Sequence, residues 1–130
     1  MNSDFNTKVR ELVNSDPRYA AEAYSFVSDA VTFTVNRLKE HRHVSARELL
    51  SGMRDFAEKE YGVLAREVLQ NWGVFTASDI GELVYLLISV QILSASPGDK
   101  RSDFDIDYLP YPQIQEFSTS KENISLPKID

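Results

Sequence analysis

Between His43 and Leu93, helix-opening side chains, apolar residues at three- and four-residue steps and helix-closing glycines follow one another in the order that a series of α-helices requires. Ser45 with Glu48 three residues on is a capping box, in which each side chain reaches the other's backbone amide. Leu49, Leu50, Met53, Phe56, Ala57 and Tyr61 then form one stripe of about four turns, closed by Gly62. Leu64, Ala65, Val68, Leu69 and Trp72 predict a shorter helix that stops at Gly73. Thr76 with Asp79, or Ser78 alone, opens the next helix, in which Ile80, Leu83, Val84, Leu87 and Val90 on to Leu93 leave almost no polar face. This helix is expected to be the most buried.

Upstream, Ser3 is the expected cap of a first helix whose face is Phe5, Val9, Leu12 and Val13 and which ends near Asn14. Asp16 and Pro17 predict the start of a long second helix, since the aspartate accepts orphan amide protons and proline at the first helical position lacks only a donor not needed there. Two neighbouring stripes, Tyr19, Ala23, Phe26, Ala30, Phe33 and Ala20, Tyr24, Val27, Val31, Leu38, give it a broad face suited to a central position. The β-branched Thr32, Thr34 and Val35 weaken its end, and the polar run from Lys39 to Val44 is a connection. After Leu93, Pro97-Gly98 marks a turn, and Phe104, Ile106 and Tyr108 alternate with aspartates, the pattern of a small β-hairpin or an extended arm. The expected fold is therefore mainly α, a compact bundle of about five helices over residues 1–109 with an extended C-terminal tail over 110–130.

A chain of 130 residues is the size of one domain that buries a core without staples. Fourteen basic against twenty acidic residues give a net charge of −6, which argues against nucleic acid as a partner. No cysteine is present, so disulfides, thiolate nucleophiles and cysteine-based zinc sites are excluded together. The stretch MNSDFNTKVRELV lacks a cationic and then apolar leader pattern, so a cytoplasmic location is expected. The most apolar run, from Leu83 to Leu93, falls well short of the roughly 20 residues that a membrane-spanning helix needs. No phosphate-cradling glycine loop and no G-x-S-x-G elbow occurs, so no cofactor is expected.

Four clusters bear on chemistry. His41 and His43 have the spacing of two metal ligands, yet without cysteine or a helical H-x-x-x-H pair they read as solvated loop residues. Asp55, Glu58 and Glu60 alternate with Arg54 and Lys59, as on a charge-balanced exposed helix face. The aspartates from Asp99 to Asp107 lack the central glycine and the final glutamate of a helix-loop-helix calcium loop. Asp79 and Glu82, with Tyr85 beside them, sit in the first turns of the apolar helix, where the helix dipole alone accounts for acids.

The segments His43-Val44-Ser45, Glu48-Leu49-Leu50, Gly52-Met53-Arg54, Tyr61-Gly62, Trp72-Gly73-Val74 and Asp79-Ile80-Gly81-Glu82-Leu83-Val84-Tyr85, with Asp99, Arg101, Asp103 and Phe104, resemble a family of small bacterial proteins largely restricted to Verrucomicrobia and Planctomycetes. The family's Asp-Phe-Gly-Glu is Asp79-Ile80-Gly81-Glu82 in this chain, and the sequence after Tyr108 follows no family pattern. The resemblance implies a helical fold and transfers no activity, cofactor or catalytic residue.

Three functional readings remain open. The first is a non-catalytic interaction or adaptor domain, binding a protein partner or a second copy, with Asp103, Phe104 and Tyr108 near an arm running from Asp105 to Phe117. The second is a small-molecule-binding protein or enzyme whose pocket, between the third and fifth helices, collects Arg54, Trp72, Asp79 and Glu82. The third is a winged-helix-like unit turning at Pro97-Gly98 and used for protein contacts, because its would-be recognition helix lacks base-reading side chains.

Overall fold

The structure is a computed structural model, and it describes residues 2–40 and 42–112. The protein is mainly helical, with no strand among the described residues. Its elements are α1 (Asn2–Ser15), α2 (Ala21–Asn36), α3 (Ala46–Tyr61), a 3₁₀ turn at Gly62–Leu64, α4 (Ala65–Asn71), α5 (Ala77–Ser89) and a second 3₁₀ turn at Arg101–Phe104. No helix among the described residues is long and apolar enough to cross a membrane.

Both capping boxes form as the local sequence dictates. The Glu48 amide donates to Ser45 Oγ at 3.1 Å and the Ser45 amide donates to Glu48 Oε1 at 3.0 Å. At α5 the Asp79 amide donates to Thr76 Oγ1 at 3.2 Å, while Asp79 Oδ2 accepts from the amides of Thr76 at 3.0 Å and Phe75 at 2.8 Å. Gly62 and Gly73 end α3 and α4 with φ of 56° and 97°, a region that L side chains avoid. A β-carbon at Gly73 would also overlap the Arg18 carbonyl oxygen, so the end of α4 and the turn after α1 are packed backbone to backbone.

Three expected boundaries move. α1 begins at Asn2, which places Ser3 inside the first turn and not at the cap. α2 starts at Ala21, not at Asp16-Pro17, because Asp16 is occupied by Arg18: its Oδ1 accepts the Arg18 amide at 3.3 Å and Nε at 2.9 Å. The intervening turn buries Tyr19 and ties the Ala20 amide to the Trp72 carbonyl at 3.1 Å. α5 ends at Ser89, short of Leu93; Gln91 takes φ of 67°, and the amides of Ile92 and Leu93 fold back onto the Leu87 carbonyl at 3.0 and 3.3 Å. Those bonds satisfy a carbonyl orphaned at the helix end, which is why the apolar run continues while the helix does not.

The core lies between α2, α3 and α5, and α2 packs chiefly on α3. α2 and α3 approach closest where Gly52 meets Thr34, since a β-carbon at Gly52 would overlap the threonine side chain. Thr34 is 4% exposed and its hydroxyl donates to the Ala30 carbonyl at 2.8 Å, so a residue expected only to weaken α2 is part of its core face.

The hairpin expected after Pro97 does not form among the described residues. Asp99 Oδ2 accepts the Ser96 amide at 2.7 Å and Asp103 Oδ2 accepts the Lys100 amide at 3.1 Å, so these aspartates close turns with donors that a strand would have presented to a neighbour. Phe104 then enters the core against α5, where a β-carbon at Gly81 would stand 2.7 Å from the phenylalanine Cβ. Packing runs past residue 109 through the buried Pro110 and Tyr111; of the tail expected over 110–130, residues 113–130 lie outside the described residues, as does His41.

Candidate functional site

The acids at the start of α5 form a polar lock. Tyr19 donates its hydroxyl to Asp79 Oδ1 at 2.7 Å, and burial followed by that bond raises the tyrosine pKa well above its ordinary range. Glu82 stands between two guanidinium groups, Arg18 Nη2 at 3.2 Å from Oε1 and Arg101 Nε at 3.4 Å from Oε2. Arg101 also grips Asp105 at 3.0 and 2.7 Å, and Ser78 donates to the same carboxylate at 2.7 Å, which together hold the Asp105 carboxyl below its usual pKa. The cluster joins the turn after α1, the first turn of α5 and the 3₁₀ turn at Arg101–Phe104, with Asp79 and Glu82 both engaged in it.

Arg54 and Trp72, expected in the same pocket as those acids, have other partners. Arg54 Nε donates to the Leu109 carbonyl at 3.2 Å and the guanidinium carbon lies 4.2 Å from the Tyr108 ring centroid. This stacking fastens the segment that leads to Pro110 onto α3. Trp72 packs edge-on against Tyr61, at 5.7 Å and 83°, and against Phe26 at 6.0 Å.

Between α2, α3, α5 and residues 93–104 lies a cleft of about 210 Å³, floored by Val31, Leu49, Val84, Ile88 and Phe104. Tyr85 and Asp103 line it, with Arg42, His43, Asp99 and Lys100 at its polar wall. His43 Nε2 is 3.1 Å from Asp99 Oδ1, and no group of three or more metal-ligating side chains occurs among the described residues. Burial, and then the charges of Asp99 and Asp103, raise the Tyr85 pKa. Nothing in the sequence marks Arg42 and His43 as a wall of this cleft, because both stand in a polar connection with no periodicity.

The face at α4 is of a different kind. Val63, Leu64 and Phe75 are 61%, 58% and 50% exposed, and Leu64, Val68 and Phe75 share one shallow groove with Glu67 and Gln70. Tyr111 closes one side of this region, accepting from Gln70 Nε2 at 3.1 Å and donating to the Phe75 carbonyl at 3.3 Å. Val63 and Leu64 belong to the 3₁₀ turn that starts at Gly62, so the positive φ of that glycine turns the chain just before the exposed side chains. Compared with family models, curated proteins and solved structures, the chain finds no match.

Proposed function

We propose that this chain is a non-catalytic protein-interaction domain that docks a partner on the α4 face. The observation that carries this reading is a pair of large apolar side chains, Leu64 and Phe75, held half or more exposed along one groove, with the exposed Val63 next to Leu64 in the chain. Scattered single exposures are ordinary, but contiguous ones mark contact surfaces. Covering what remains exposed of each contributes roughly 1 kcal/mol, so Leu64 and Phe75 form the apolar centre of an interface whose rim supplies the remaining area. A net charge of −6 and Glu67 at the groove favour a partner with an apolar anchor flanked by basic residues. On this reading a scaffold of about five helices, in keeping with the helical fold that the resemblance to the Verrucomicrobia and Planctomycetes family implies, works in the cytoplasm and needs no cofactor.

The test is a Leu64→Ser, Phe75→Ser double variant with unchanged circular dichroism. Proteins captured by the wild type, or a second copy detected by sedimentation, should be lost. Retention of the same set by the variant would overturn the reading.

The cleft between α3 and α5 favours a second reading, as a binder of a small apolar ligand. Saturable binding of a hydrophobic dye that is abolished by Leu49→Trp and unaffected by Phe75→Ser would select it over docking.

A further inference from the structure

Away from both of these surfaces, α2, the end of α3 and the residue after α4 enclose a recess of about 160 Å³ with an unusual lining. Its apolar part is aromatic: Phe26, Phe56, Tyr61 and Trp72. Phe26, only 3% exposed, lies 5.6 Å from Phe56, 6.5 Å from Tyr61 and 6.0 Å from Trp72, so it is the common neighbour of the other three rings. Tyr61 and Trp72 meet at 83°, two walls close to a right angle. Its polar part is Ser25 and three acids: Glu22 and Asp29, about one turn before and one turn after Phe26 along α2, and Glu60 on α3.

Among the described residues no lysine, arginine or histidine lines the recess. Among the same residues Glu22 and Asp29 form no ion pair, and Glu60 meets only its chain neighbour Lys59, at 3.4 Å with the lysine side chain 62% exposed. Burial, then Glu60 and Asp29, raise the Tyr61 pKa, in keeping with a hydroxyl that feels both carboxylates. Elsewhere in the molecule carboxylates such as Asp16, Glu82 and Asp105 are matched by arginines, so two acids without an ion pair among the described residues and a third met only by an exposed lysine leave room for a cation beside the aromatic hollow.

We infer that this recess binds a quaternary ammonium group. Aromatic faces attract cations through the ring quadrupole, tryptophan most strongly. A methylated ammonium fits such walls because its methyl groups shed water cheaply, whereas a bare lysine ammonium is strongly hydrated and keeps its shell. The carboxylates add charge complementarity without entering the apolar hollow. The volume corresponds to about five waters at ~30 Å³ each, which is the scale of a trimethylammonium head. Such a head comes either from a free choline-type molecule or from a trimethyl-lysine side chain on a protein.

Trp72 is the only tryptophan in the chain, so its fluorescence reports directly on the recess. Full-length protein titrated with choline and with tetramethylammonium should show a saturable change, absent with sodium chloride at equal ionic strength. The neutral tert-butyl isostere of choline should bind at least several-fold more weakly. Asp29→Asn and Glu60→Gln, conservative changes on exposed helix faces, should each weaken choline binding about 2- to 5-fold with an unaltered fold, as loss of up to ~1 kcal/mol from an exposed ion pair implies. A trimethyl-lysine peptide set against its unmethylated form then identifies the source: tighter binding than choline indicates a protein, weaker binding a metabolite, and either supports the site. Equal binding of the neutral isostere, or indifference to both carboxylate variants, would overturn it.

Discussion

Replacing Gly52 by alanine should destabilise the protein even though alanine is the better helix former. Gly52 is buried in α3 where α2 comes nearest, and the added methyl would occupy space held by the Thr34 side chain. Thr34 cannot simply rotate away, since it is itself buried and its hydroxyl is bonded to the Ala30 carbonyl at 2.8 Å. Overpacking of this sort costs ~1–3 kcal/mol. The intrinsic gain from glycine to alanine within a helix offsets ~1 kcal/mol of that, leaving a net loss of up to ~2 kcal/mol. Thr34→Ala alone removes a buried methyl and a local hydrogen bond and gains helix propensity, for a net loss of ~1 kcal/mol. The double variant exchanges one methyl for another across the same contact and keeps both propensity gains. It should therefore lie within ~0.5 kcal/mol of wild type, against an additive expectation of ~1–3 kcal/mol. Urea denaturation of the four proteins closes the cycle, and each kcal/mol should appear as ~4 °C in thermal melts. A coupling below ~0.5 kcal/mol would show that the two helices do not limit each other at this point.

Glu48 is held down to about 2 from 4.5 by its hydrogen bond with Arg42 and then by the Ser45 amide. Because the folded-state pKa is depressed, its contribution is present above the unfolded value and is lost as pH falls from 4.5 towards about 2; Glu48→Gln should flatten that part of an acid denaturation series, and an unchanged slope would count against the link. Tyr24 is fully buried with a hydroxyl that has no hydrogen-bond partner among the described residues, and burial pushes its pKa up to about 12. Tyr24→Phe should thus leave chemical stability unchanged or raise it by up to ~1 kcal/mol, whereas a loss of more than that in urea would reveal a bond the hydroxyl does make. Gly73→Ala meets both a φ of 97° and the Arg18 carbonyl, and should cost ~2–4 kcal/mol in the same assay.

Features written in neighbouring residues are legible in the sequence itself. The boxes at Ser45–Glu48 and Thr76–Asp79 and the stops at Gly62 and Gly73 need only a side chain and an amide a few positions away, or a single φ. Asp16-Pro17 carries an equally good local signal and fails, because Arg18 takes the carboxylate and the buried Tyr19 forces the turn to continue to Ala20. α5 stops before its apolar run does for a similar reason: Ile92 and Leu93 are partly buried outside the helix, and periodicity does not separate the two ways of burying a residue. Of the expected site residues, Asp79 and Glu82 are held by the adjacent Tyr19 and Arg18, while Arg54 and Trp72 go elsewhere. Convergence is a property of the packing, and no spacing within one helix reports it.

The aromatic recess shows the same limit from the other side. Phe26, Phe56 and Tyr61 sit on the apolar faces of their helices and Trp72 just after α4, and in sequence each reads as ordinary packing. The one local sign is on α2, where Glu22, Phe26 and Asp29 recur at four and three residues, an acid on either side of an aromatic along one stripe. An apolar stripe that faces only the core has no reason to carry carboxylates at its own spacing, and a solvated face has no reason to carry a buried phenylalanine. A stripe that mixes the two must run along the seam between core and solvent. The net charge of −6 is not spread evenly in its effects: at the start of α5 Glu82 is locked by two arginines, whereas along this seam Glu22 and Asp29 stand beside aromatic rings with no ion pair among the described residues. Carboxylates left beside aromatic rings at that seam are where a bound cation would find both charge and ring faces, and a cation that bound there would stabilise the native state in proportion to its occupancy.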